Sequence, residues 1–310
     1  MKDGVIPVSS RENVAPFYSL APGLGKRAGM GLLRGAAAHA VAVAPAAGAA
    51  VEGRAAMSAY FEELDFRPTP MGALSLRRRR SLTTGLDVYE IKLGDEFLMS
   101  SAFTVAESAL AQVGLAALAR GDLDVVVGGL GLGYTALAVL ENPSVKSLIV
   151  VDALAEVIEW HEQGLLPLGE QLAADPRCRF VHGDFFTMSD SAEGFDSHVP
   201  RRRFDAVLVD IDHSPRKLLH PRHAALYTPA GLAGLAAHLN PGGVFALWSN
   251  DAPDETFEGM LSGAFATATS HVLTFDNAFG EPGASNTVYV AVMTDPRLPK
   301  ATDPASPPSI

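Results

Sequence analysis

The run Asp124-Val125-Val126-Val127-Gly128-Gly129-Leu130-Gly131-Leu132-Gly133, continuing from Tyr134 to Asp152, decides the fold. Asp124 to Val127 is short and β-branched, which predicts a strand buried on both faces. The glycines that follow allow a sharp turn and a close approach of a ligand to the main chain, least tolerant of a side chain at Gly131. Tyr134 to Leu140 reads as a helix that Asn142-Pro143 stops. Lys146 to Val151 reads as a second strand, delivering Asp152 at its carboxyl end, 19 residues after Gly133. A carboxylate there can accept both hydroxyls of a ribose.

The glycine spacing separates two cofactor classes. Gly129-x-Gly131-x-Gly133 lacks the last glycine of the dinucleotide pattern, where Tyr134 stands, so NAD is disfavoured. A GxGxG turn followed by an acid at the end of the second strand resembles the motif of class I S-adenosylmethionine-dependent methyltransferases and their relatives. A glycine-rich turn without a ligand is the plainer alternative.

The chain has 310 residues, 48% hydrophobic and 19% charged, enough for a sizeable core. A formal charge of −11 argues against sequence-blind nucleic-acid binding, which relies on clustered Lys and Arg. Arg77 to Arg80 and Arg201 to Arg203 are too short and too far apart to define a binding face, and read as solvated edges or loops. The single cysteine, Cys178, excludes an internal disulfide and a cysteine metal cluster, which fits a cytoplasmic location. No HExxH occurs and the nine histidines show no metal-ligand spacing, so no metal is expected.

Residues 1–56 are Ala/Gly-rich from Gly29 onward and are expected to be disordered. Pro45, His39, Arg34 and Glu52 interrupt them too often for a membrane span, and no secretory pattern opens the chain. Met57 begins the first well-patterned segment. Residues 57–99 alternate between short strands and turns, as at Thr69-Pro70-Met71-Gly72 and Gly94-Asp95, and predict a small β-hairpin unit.

Residues 100–294 predict an α/β domain, a Rossmann-like class I methyltransferase sheet. It opens with a helix from Ser100 to Ala119. After Asp152 come a helix over Ala153 to Gly164 and strands over Arg179 to His182 and Phe204 to Val209. A helix over Leu226 to Leu239, a turn at Asn240-Pro241-Gly242-Gly243 and a strand over Val244 to Trp248 follow. A helix over Asp254 to Phe265 precedes strands over His271 to Phe275 and Thr287 to Val292. With no room for a helix between them, these two should pair antiparallel as a C-terminal hairpin. Residues 295–310, with five prolines in sixteen positions, are expected to be disordered. Asp152, Asp184 and Asp210 then fall at consecutive carboxyl ends of a parallel sheet, where such folds bind ligands.

Residues from about 64 to 293 resemble the polyamine synthases, the spermidine synthase family. Thr69-Pro70-Met71-Gly72 is similar to its TPxG hairpin, Gly94-Asp95-Glu96-Phe97 to its xDEF segment, and Asn142-Pro143-Ser144-Val145 to its HPSV segment. Asp175-Pro176-Arg177, Gly183-Asp184 and Phe204-Asp205-Ala206-Val207-Leu208-Val209-Asp210 also match. The resemblance implies a turn of Gly129, Gly131 and Gly133 around the nucleoside, with Asp152 on the ribose hydroxyls and Asp184 on the adenine amino group. It implies Asp210 at the amine acceptor, whose proton leaves during transfer. S-adenosylmethionine or its decarboxylated form would be the co-substrate, with a small-molecule amine as acceptor and a homodimer as the assembly.

Two departures bear on the substrate. The family's GGGDG aspartate, which holds the aminopropyl amine, is Leu132 here, and a Leu cannot neutralise an ammonium. The family's DSxDP becomes Asp210-Ile211-Asp212-His213-Ser214-Pro215, so His213 replaces an acid and Asp212 stands one position earlier to supply the lost charge. His213 either titrates in catalysis or merely orients the loop. The segment from Phe97 to Glu107 is longer than the family's equivalent, which weakens an acceptor role for Glu107. Three functions stay open: an aminopropyltransferase-like enzyme, a small-molecule methyltransferase that keeps the nucleoside site, and a non-catalytic nucleoside-binding protein.

Overall fold

The computed structural model describes residues 4–7, 60–275 and 284–297. Most of the leader and all of 298–310 lie outside them, as does the link 276–283. One segment of the leader is described: β1 (Gly4–Pro7) is a strand paired parallel to a later one, although the composition gave no strand there.

β2 (Phe61–Thr69), β3 (Gly72–Arg80), β4 (Asp87–Leu93) and β5 (Glu96–Ser100) form a four-stranded antiparallel sheet in chain order, larger than the expected hairpin. The Thr69–Gly72 turn closes as its sequence suggests. Thr69 Oγ1 donates to Gly72 O at 2.8 Å and accepts from Met71 N at 3.1 Å. β3 is an interior strand, so its arginines are not a solvated edge. Arg78 pairs with Glu62, Arg79 with Glu90 at 2.6 Å and Arg80 with Asp87 at 3.5 Å, while Arg77 lies 3.7 Å from Glu63. Cross-strand acids absorb the charge run.

The chain then enters the second sheet. α1 (Val105–Ala116) leads to β6 (Leu123–Gly128), α2 (Tyr134–Glu141) and β7 (Val145–Asp152). α1 is shorter than expected because Ser100 completes β5. Next come α3 (Ala155–Glu162), α4 (Gly169–Ala174), β8 (Cys178–His182), α5 (Phe185–Asp190), β9 (Phe204–Val209) and a 3-10 turn (Pro221–Ala225). α6 (Pro229–Ala236), β10 (Leu239–Ser249), α7 (Glu255–Ala264), β11 (Thr267–Phe275) and β12 (Ala284–Val292) complete the chain. α4 and α5 have six residues each, too short to show a helical period. The helix expected to reach Leu239 stops at Ala236, and Asn240 to Gly243 lie inside β10 as an irregularity between Leu239↔Phe204 and Val244↔Ala206.

The sheet order is β1-β11-β12-β10-β9-β6-β7-β8. β8, β7, β6, β9 and β10 run parallel, and β11 and β12 pair antiparallel from Thr267↔Val292 to Phe275↔Ala284, as expected. Alternate side chains point to opposite faces, so a strand buried on both reads as a continuous apolar run. Val125 and Val127 face one cluster with Leu208, Ala246 and Trp160; Val126 faces the other with Val207, Phe245 and Phe257. The parallel strands thus carry β6, β7, β8 and β9 to one edge, where the candidate site is assembled. No helix among the described residues is long and apolar enough to cross a membrane.

Candidate active site

The glycine turn bends back at the end of β6 because three of its residues take positive φ: Gly129 at 94°, Gly131 at 48° and Gly133 at 91°. Little space is left around it. A Cβ on Gly129 would lie 2.1 Å from Asp210 O, and one on Gly131 would lie 2.8 Å from Met99 Sδ. Gly131 therefore faces a thioether of this chain. The space that excludes a side chain there is filled by β5.

Asp152 sits where the strand pattern put it. Its Oδ2 accepts from Leu130 N at 2.9 Å and its Oδ1 from Leu154 N at 2.8 Å, so it fastens the glycine turn to the turn into α3. Burial raises its pKa, against those backbone hydrogen bonds. Each oxygen retains acceptor capacity for a ligand hydroxyl. Asp184 is the N-cap of α5: Oδ1 accepts from Phe186 N at 3.0 Å and Thr187 N at 3.3 Å, and Oδ2 from Thr187 Oγ1 at 3.0 Å. Capping alone accounts for an aspartate at that position.

Asp210 lies beside the turn. Its backbone amide bonds Gly128 O at 2.9 Å, and Thr135 Oγ1, from the first turn of α2, donates to Oδ2 at 2.7 Å. Burial lifts its carboxyl to about 6, and the Thr135 bond opposes the rise. Glu107, in the first turn of α1, is lifted to about 8, first by burial and then by the charge of Asp210. The two carboxyls titrate as a pair. At neutral pH the pair holds about one proton, mainly on Glu107.

The remainder of the acidic loop is arranged differently from the expectation. Asp212 is 2% exposed and does not point into the open edge with Asp210. Its Oδ1 accepts from Leu219 N at 2.7 Å and bonds His223 Nδ1 at 2.8 Å, and its Oδ2 accepts from Tyr227 OH at 2.9 Å. A carboxylate with three strong partners in a dry setting holds the loop together. His213 fixes the loop through its backbone oxygen, which accepts from Asn250 N at 2.7 Å. Its Nε2 is buried without a hydrogen-bond partner among the described residues.

Leu132, in place of an acid, is fully buried in the core with Leu130 and Val127. Beneath it, His161 from α3 donates its Nε2–H to Gly131 O at 2.9 Å, with burial pushing its pKa down to about 4, so the ring is neutral. No local motif pointed to His161, Thr135 or Met99, which reach the turn from other elements. On the β10 side of the same edge a cavity of about 370 Å³ is bordered by Ser214, Arg216, Asp251, Asp254, Glu255 and Tyr289. Asp254 there is paired with Arg216.

The parallel sheet, its C-terminal hairpin and the preceding antiparallel sheet define a class I methyltransferase-like fold of the kind found in spermidine synthases. The crystal structure of a spermidine synthase in complex with the transition-state analogue AdoDATO superposes with a TM-score of 0.57 at 16% identity, over 74% of this chain and 73% of that one. The spermidine synthase of Thermotoga maritima gives 0.57 at 16% identity, over 74% and 72%. In sequence, the chain is similar to polyamine aminopropyltransferase 2 of Pseudomonas aeruginosa, 28% identical over 160 residues. That match takes in 48% of this chain and spans 41% of the relative's length. No family model matches. The resemblance stated from the motifs is thus met again in both the sequence and the fold.

Proposed function

We propose that the protein is a transferase of the aminopropyltransferase type, joining a decarboxylated sulfonium nucleoside to an amine acceptor. One observation carries the reading: Glu107 and Asp210 form an electrostatically coupled, half-buried carboxyl pair beside the glycine turn, with Asp210 lifted to about 6. The names of the sequence relative and of the structural neighbours support it.

In this reading Asp152 holds the ribose hydroxyls and Asp184 the adenine amino group with the lone pairs that their backbone partners leave free. The amine nitrogen attacks the sulfonium-bound carbon, the carbon–sulfur bond breaks, and its electron pair returns to sulfur, giving neutral methylthioadenosine. The nitrogen's surplus proton passes to Asp210, a base ionised at neutral pH yet close enough to it in pKa to take up a proton. Protonated Glu107 keeps a second negative charge from crowding the first. A sulfonium is already a good leaving group, so alignment supplies most of the remaining acceleration. Asp251 and Glu255 border the cavity on the β10 side and would offer negative charge to the far end of a diamine, Asp251 also acting on Arg216.

Methyl transfer from intact S-adenosylmethionine is the second reading, favoured by Leu132, which removes the ammonium anchor. Incubation with each sulfonium and a diamine separates the two. Methylthioadenosine as product supports aminopropyl transfer, S-adenosylhomocysteine supports methyl transfer, and nucleoside binding without either product leaves a non-catalytic binder.

A further inference from the structure

The amides of the glycine turn are all engaged within the chain. Gly129 N donates to Val151 O at 2.9 Å and Gly133 N to Leu130 O at 2.8 Å. Leu130 N donates to Asp152 Oδ2 at 2.9 Å, and Gly131's amide faces the same carboxylate and helps lower its pKa against burial. The fifth, Leu132 N, donates to Met99 Sδ at 3.1 Å. A glycine turn before a helix ordinarily offers such amides to an anion, and here none of the five is free.

Four of these partners are backbone or carboxylate oxygens on which the bend itself depends. The fifth is a thioether, a weak acceptor, on a flexible side chain from the other sheet. Met99 is thus the removable one. The surroundings act in the same sense: Leu132 is buried in the core, and the ionised carboxylates beside the turn, Asp152 and Asp210, repel another carboxylate.

We propose that Met99 is a specificity-determining residue: by covering the Leu132 amide with its sulfur it denies the site an anion-binding donor and selects a sulfonium nucleoside that carries no carboxylate. This rests on the transferase reading above and adds the residue that chooses between the two co-substrates. A ligand carboxylate approaching the Leu132 amide finds it covered and the neighbourhood negative. A decarboxylated tail brings only an ammonium, which the same acids attract.

The test is calorimetric titration of wild type, Met99→Ala and Met99→Leu with methylthioadenosine, S-adenosylmethionine and its decarboxylated form. Wild type is expected to prefer the decarboxylated form by tenfold or more. Met99→Ala uncovers the amide and should narrow that preference by tenfold or more, the worth of one charge-assisted hydrogen bond. Met99→Leu keeps an apolar cover and should hold the wild-type preference within about threefold. Methylthioadenosine, which has no such tail, should bind all three alike. Met99→Ser shortens the same side chain and replaces the alanine variant if that one does not fold. An unchanged preference in a shortened variant that still binds methylthioadenosine overturns the proposal, as does a wild type that binds both sulfoniums equally. A wild type that fails to bind methylthioadenosine overturns the functional reading itself, and the proposal with it.

Discussion

Replacing Glu107 with Gln should make the protein more stable in alkali than the wild type. Burial and the neighbouring Asp210 lift the Glu107 carboxyl from its ordinary 4.5 to about 8. In the unfolded chain it ionises near its ordinary value, so between the two the folded state holds a proton that the unfolded state has released. Stability therefore falls as pH rises through that window and stays low above it. Asp210, lifted from 3.8 to about 6, adds a smaller fall of the same sign at lower pH. Carried at full value, the Glu107 displacement corresponds to on the order of 5 kcal/mol, an upper bound because solvent reaching the site relieves part of it. Glu107→Gln keeps the shape and removes the titration. At pH 9 the variant should exceed wild type by at least about 2 kcal/mol, roughly 4–8 °C in Tm for a chain of this size. At pH 5, where Glu107 is protonated, the two should nearly coincide. Urea unfolding at pH 5, 7 and 9 reads the difference. Parallel stability profiles for the two proteins would refute the coupled pair and, with it, the acid–base assignment.

Other expectations follow from the same geometry. Asp152→Ala should weaken methylthioadenosine at least tenfold by calorimetry, since it removes the acceptor for the ribose and loosens Leu130; unchanged affinity in a folded variant removes the ribose assignment. Asp210→Asn should lower turnover by on the order of 10² with nucleoside affinity nearly unchanged, measured as methylthioadenosine release, and full activity would move the base elsewhere. Asp212→Asn should act on the loop: a lower Tm together with lost turnover is expected, whereas lost turnover at wild-type stability would return Asp212 to the chemistry.

The fold was legible where burial dictates sequence. Val125, Val126 and Val127 face apolar clusters on alternate sides, so no polar residue interrupts the run and the strand is plain to read. The turn after it shows because three residues at positive φ require glycine. α4 and α5 were not legible, being too short for a period to emerge. Nor was the place of the arginine run: Arg77 to Arg80 look like a solvated edge until Glu62, Glu63, Asp87 and Glu90 are seen on the flanking strands. Strand register decides which charges meet, and the sequence does not state register.

The site was legible as positions and much less as roles. Asp152, Asp184, Asp210 and Asp212 look alike in sequence, each in or beside a strand-end turn, and what separates them is where their hydrogen bonds go. Asp212 spends its oxygens on a backbone amide, an imidazole and a phenol, partners that reach it from 7 to 15 residues further along the chain. Asp210 is bonded by one hydroxyl, and desolvation raises its pKa to about 6 against that bond, while its charge in turn raises Glu107. A carboxylate that is desolvated and bonded by few donors gains by taking up a proton. The base of the proposed reaction is therefore the less satisfied of the two. That distinction depends on Thr135 and Glu107, 75 residues apart from Asp210 in one case and on a separate helix in the other, and no local motif encodes it.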